Sequence, residues 1–267
     1  MPVGRPVARA WEWVVPVVLV ITLFVTFFLA QGAALWAGHD YVQRANGLTY
    51  AQSVHQGFGQ LTAVTLLTLV TVANTARKAS RATARDRLVL RGALGLLCLL
   101  ALVVVASALY RMHVYQQAYG FTVLRVLVDA FELWMGLLLV LVLAAGARLS
   151  ARWLPRAALL SGAALVLVLG LANPEAWVAQ HNIERYHATG KLDAGYLQTL
   201  GPDATPAIVA GLPAGLAACI LAGRPVAGGE DLLEWNLGRH RAAVAAATVG
   251  PVDEESCSSL LAPRPDG

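Results

Sequence analysis

Residues 77–110 read RKASRATARDRLVLRGALGLLCLLALVVVASALY. The stretch opens with Arg77, Lys78, Arg81, Arg85, Arg87 and Arg91 against one acid, Asp86, and continues as an apolar run, Leu88–Tyr110. A helix needs about 20 apolar residues to cross the ~30 Å hydrocarbon core. A flank dense in Lys and Arg marks the cytoplasmic end of such a crossing. This one stretch therefore predicts both a membrane-spanning helix and its direction.

Working outward, four more apolar runs predict spans over Trp13–Trp36, Phe58–Asn74, Thr122–Ala145 and Ala157–Ala172. Arg148, Arg152 and Arg156 lie between the last two with no acid among them, and Arg5 and Arg9 precede the first. All three basic segments fit one topology: N-terminus inside, five crossings, C-terminus outside. Segments 38–57 and 111–121 are then external loops. Trp11, Trp13 and Trp36 border the first span as interfacial anchors do. A cleaved signal peptide is the competing reading of residues 1–37, but the apolar core exceeds the usual 7–15 residues. The composition agrees, with 57% hydrophobic residues and 13% charged in a chain of 267, about half the charge of a soluble domain. The net charge of +4 is an orientation signal and not a nucleic-acid footprint.

The expected fold class is thus an all-α polytopic transmembrane bundle over 1–172, a small exported helical domain over 173–250 and a disordered tail over 251–267. Asn173-Pro174-Glu175 has the pattern of an N-cap, a first-turn Pro and a first-turn acid, predicting a helix to about His187 ended by Gly190. Further helices are expected over Lys191–Leu200, Asp203–Ala222 and Glu230–Ala247. Ala204–Gly223 is apolar enough to be read as a sixth span, although Pro206 and Pro213 interrupt it. Cys98 lies within a span, whereas Cys219 and Cys257 share a compartment in which a disulfide is open to them.

Several short motifs lie along the chain: Phe28-Leu29-Ala30-Gln31, Gly47-Leu48-Thr49-Tyr50-Ala51, Gly57-Phe58-Gly59-Gln60-Leu61, Tyr119-Gly120-Phe121-Thr122 through Arg125, Asn173-Pro174 through Asn182-Ile183-Glu184-Arg185, Leu192-Asp193 with Tyr196-Leu197, and Trp235-Asn236 with Arg239 and Arg241. In their order and number they resemble a bacterial membrane family catalogued as a domain of unknown function (the 4153/4173 class) and familiar from actinobacteria. The resemblance runs to about residue 247. It implies that the chain corresponds to the C-terminal half of longer members, and it brings no activity, cofactor or catalytic residue with it.

The sharpest local signal is polar. Arg125, Asp129 and Glu132 fall at i, i+4 and i+7 of the fourth span, on one helix face. From an entry at Thr122, Asp129 would lie about 10 Å deep and Glu132 about 15 Å deep. A charge there costs on the order of 2.5–3.5 kcal/mol even on the lenient insertion scale. Arg125 is the expected partner of Asp129, and Arg111 is the nearest cation for Glu132. This cluster is a proton- or ion-handling relay, a polar ligand site open to the outside or, the commoner case, a salt-bridge network fixing helix registry.

Thr62, Thr65, Thr68 and Thr71 could line a polar path, but threonines bonded to their own helix are commoner. His39, His55, His113, His181, His187 and His240 fall on the expected outer side without metal-site spacing. His181, Asn182 and Arg185 share a helix face read as solvated or interfacial. No P-loop, GxGxxG or GxSxG motif is present, which argues against a self-contained ATP-driven pump or kinase. The expectation is a multi-pass membrane protein with membrane lipid and a membrane protein as partners, no nucleic acid and no cofactor. A non-enzymatic sensor, scaffold or partner subunit of the cell envelope leads. An ion- or proton-coupled transport component using Asp129 and Glu132, and an enzyme acting on lipid-linked substrate at the outer leaflet, are the alternatives.

Overall fold

Long runs of Leu, Val and Ala become helices in lipid because each backbone polar group must be bonded within its own segment. The structure, a computed structural model, describes residues 10–36, 50–79, 83–148, 152–223, 236–250, 252 and 254–261, with backbone alone for 10, 30–36, 50–61, 148 and 254. Among the described residues the chain is all-α, without a strand. In chain order the helices are α1 (Ala10–Trp36), α2 (Tyr50–Lys78), α3 (Ala84–Tyr119), α4 (Val123–Arg148), α5 (Leu154–Ala172), α6 (Pro174–Thr189), α7 (Ala194–Thr199), α8 (Thr205–Gly211), α9 (Ala214–Leu221), α10 (Leu237–Ala246) and α11 (Glu254–Leu261), with a 3-10 turn at Pro202–Ala204.

By length and composition, α1, α3, α4 and α5 can each cross a membrane. The second expected span lies inside α2, which is not among those four; Thr62, Thr65, Thr68, Thr71, Asn74 and Thr75 make its described part less apolar. Helix α3 runs 36 residues, about 54 Å. Most of the stretch 111–121, expected as an external loop, is therefore helix. Arg5, Arg9, Arg81 and His39 lie outside the described residues, as do residues 224–235, where the fourth tail helix was expected to begin.

The chain divides into two compact units. The first contains Met1–Arg111 and Ala130–Ala163. Its core joins Val17, Val20 and Phe24 of α1, Val72 of α2, Leu97, Cys98, Ala101, Val104, Val105 and Ala108 of α3, and Leu139 of α4. Close approach is allowed by a small residue: a Cβ on Gly136 would sit 3.4 Å from Val105 Cγ1. Trp134 Nε1 donates to Ser161 Oγ at 3.1 Å and ties α4 to α5. Asp86, the one acid of the basic turn, closes a reciprocal cap on α3. Its backbone N–H donates to Thr83 Oγ1 at 3.0 Å, and its carboxylate accepts from Thr83 N–H at 3.3 Å. Arg91 Nη2 donates to Ala147 O at 3.2 Å near the C-terminal end of α4.

The second unit contains Met112–Asp129 and Ala164–Gly267. Its core is Val178, Ala179 and Ile183 of α6, Leu197 of α7, Leu200, Ala204, Ile208 of α8, Leu212, and Leu216, Ala217 and Ile220 of α9, with Phe121, Val123 and Val126 packed against it. Asn173 caps α6 as expected, accepting from Ala176 N–H, and Gly190 closes it at φ 73°. The expected helix Asp203–Ala222 is not continuous. Leu212 is extended at φ −116°, ψ 156° because the following Pro213 excludes the α region. Each resulting piece, 7 and 8 residues long, is too short to cross a bilayer. The expected disordered tail is also corrected: Glu254–Leu261 is helical, and Cys257 is joined to Cys219 of α9 by a disulfide. Leu261 packs against the unit's core.

Candidate functional site

Helix α4 carries the polar face that the sequence singled out. Within the first unit, Glu132 is fully buried at 0% exposure. The Thr62 hydroxyl of α2 donates to its Oε1 at 2.5 Å. A buried carboxylate is tolerated when it is hydrogen-bonded, and α2 supplies a polar stripe for it: Thr65, Thr68, Thr71 and Thr75 are all buried. Thr68 spends its hydroxyl on Val64 O of its own helix at 2.9 Å. Arg111, the cation expected for Glu132, is exposed and turned back onto its own helix, where Nε and Nη2 lie 3.4 Å from Ser107 O and Ser107 Oγ.

Within the second unit, Arg125 and Asp129 do not pair. Arg125 Nη1 donates to Gly120 O at 2.8 Å, Nη2 lies 3.5 Å from Tyr115 Oη, and the guanidinium carbon stands 4.6 Å over the Tyr115 ring. Asp129 instead accepts from the buried Gln116, Nε2 to Oδ2 at 2.7 Å. Its Oδ1 is buried with no hydrogen-bond partner among the described residues. Neutral amide and hydroxyl donors, not the expected arginines, thus serve both carboxylates. An i, i+4 spacing permits an ion pair but does not impose one, and here the α3–α4 turn captures the guanidinium first.

That turn is built from both sides. Gly120 sits at φ 89°, which an L side chain rarely adopts. Asn182 of α6 brackets Phe121, accepting its N–H and donating to its carbonyl, both at 2.8 Å. Arg185 closes the C-terminal end of α3, with Nε to Gln117 O at 3.1 Å and Nη2 to Ala118 O at 2.6 Å; its Nη1 reaches Lys191 O at 3.2 Å. Tyr196 Oη accepts Val123 N–H at 2.8 Å at the start of α4. The face of α6 expected to be solvated is therefore largely engaged, and Asn182 is buried. The resemblance had put motifs at both places, but no spacing in the sequence links Phe121 to Asn182.

His113, His181 and His187 each make their own contacts. His181 stacks on Trp177 at 3.7 Å, with Phe121 edge-on to both rings. His187 Nε2 meets Gly211 O at 2.8 Å, and His113 meets Gln117 at 3.0 Å. Among the described residues, no group of three or more His, Cys, Asp or Glu could hold a metal ion. The geometry gives Glu132 a hydroxyl donor and Asp129 an amide donor.

No curated protein and no solved structure matches the chain. A family model does, over residues 1–211, and its description is a domain of unknown function, DUF4153. The match takes in α4, which carries Glu132, Asp129 and Arg125, and the α6–α7 residues that hold the α3–α4 turn, and the chain belongs to the DUF4153 family.

Proposed function

We propose that the chain is an integral membrane protein with five crossings, α1–α5, its N-terminus in the cytoplasm and α6–α11 outside, acting as a non-enzymatic sensor, scaffold or partner subunit of the cell envelope. The observation that carries this reading is the Cys219–Cys257 disulfide, which falls in the segment that five crossings leave outside. Disulfides persist in oxidising compartments and are rare in the cytosol. The arginine-dense turns after α2 and α4 favour the opposite side. Helix α2 counts as the fifth crossing because its threonines are turned inward, where Thr62 meets Glu132.

The test is Ala247→Cys, an exposed position after α10. An impermeant maleimide should label it on intact cells as fully as on lysed ones. Labelling only after lysis rejects the outward placement. A second reading, an ion- or proton-coupled transport component using Asp129 and Glu132, draws support from the buried Asp129 Oδ1, which has no hydrogen-bond partner among the described residues.

A further inference from the structure

We propose that Arg125 binds the phosphate of a membrane phospholipid. Arg125 is the third residue of α4, about 3 Å inside the start of an apolar stretch that runs to Ala147. It therefore stands at headgroup depth if α4 crosses a bilayer. It is half-buried, and no carboxylate among the described residues pairs with it. The acid one turn below, Asp129, is held by Gln116 instead.

A guanidinium has five N–H donors. Arg125 directs one at Gly120 O and one at Tyr115 Oη, which leaves three without an acceptor among the described residues. The guanidinium carbon stands 4.6 Å from the centroid of the Tyr115 ring. Tyr119 packs on that ring at 4.6 Å and is 57% exposed. Tyr at the span border matches the interfacial aromatic belt. A planar fork held in place with unspent donors is suited to two-point recognition of a phosphate. The inference rests on the membrane reading but on neither side of the bilayer in particular.

The experiment is native mass spectrometry of the purified full chain in detergent, titrated with phosphatidylglycerol, for wild type, R125Q, R125K and R111Q. Lipid retention should fall about tenfold in R125Q, the equivalent of one charge-assisted contact. It should fall less in R125K, which keeps the charge and loses the fork, and hold in R111Q. Equal retention in wild type, R125Q and R125K overturns the site. An equal loss in R111Q also overturns it, because a diffuse charge effect would then suffice. Should R125Q not fold, undiminished retention in R125K overturns it alone. Inorganic phosphate at millimolar concentration should not displace the lipid; displacement reassigns the fork to a soluble phosphate and overturns the lipid assignment. Release of the chain from membranes by alkaline carbonate would instead reject the membrane reading.

Discussion

Glu132 shows what a single residue can be asked to do. It is wholly buried and accepts a hydrogen bond from the Thr62 hydroxyl. Glu132→Gln keeps an acceptor for Thr62 and should leave expression and fold unchanged. Glu132→Lys buries an ammonium where an acceptor for a hydroxyl is needed. On the order of 2.5–3.5 kcal/mol of insertion cost should then appear as reduced membrane accumulation on quantitative immunoblots. Normal accumulation of the Lys variant would mean that this face is not dry. Gly120 is constrained twice: a Cβ there would lie 2.8 Å from Asn182 Oδ1, at a φ of 89°. Gly120→Ala should lower thermal stability in detergent by about 1–3 kcal/mol, whereas Gly190→Ala, with open space around it, should suffer only its backbone strain. Both glycines could be suspected from sequence as turn residues, but the clash with Asn182 could not, because it comes from a residue about sixty positions away.

At the scale of elements, the α3–α4 turn and α11 are held by different means. The turn depends on three side chains of α6 and α7: Asn182, Arg185 and Tyr196. Asn182→Ala removes both bonds to Phe121 and should cost about 1–3 kcal/mol, seen as earlier deuterium exchange at residues 117–123. Exchange as slow as in wild type would show that the remaining contacts suffice. Helix α11 is joined to α9 by a bridge across 38 residues. Cys257→Ser should destabilise the second unit by about 3–4 kcal/mol, and reductant should lower the melting temperature of wild type but not of this variant. Caps were the most legible part of these elements. Asn173 and Gly190 act locally, within a few residues of the helix ends they serve, as does Asp86, which the sequence showed only as the one acid of a basic segment. The break at Leu212-Pro213 is local too, and reading Asp203–Ala222 as one helix underweighted it. The helix in the tail was missed because its Ser and Glu composition carries little apolar signal, and its anchoring comes from Cys219 and the core around Leu261.

For the whole molecule, the apolar runs predict a protein that stays in membranes through alkaline carbonate and leaves them only with detergent. Soluble recovery of the intact chain at neutral pH would contradict the membrane reading. The sequence by itself determined that the chain is helical, where four of its long apolar helices lie, and which ends are basic. Those properties depend on run length and on charge placement along the chain, and both are local quantities. Only the tertiary structure decided what each polar group meets. Thr62 and Glu132 are 70 residues apart, Phe121 and Asn182 are 61 apart, and Cys219 and Cys257 are 38 apart. Arg125 had a sequence-adjacent acid and took a backbone carbonyl and a tyrosine ring instead. The reason is geometric: hydrogen bonds are short-ranged and directional, so their partners are fixed by helix packing, which no one-dimensional pattern encodes.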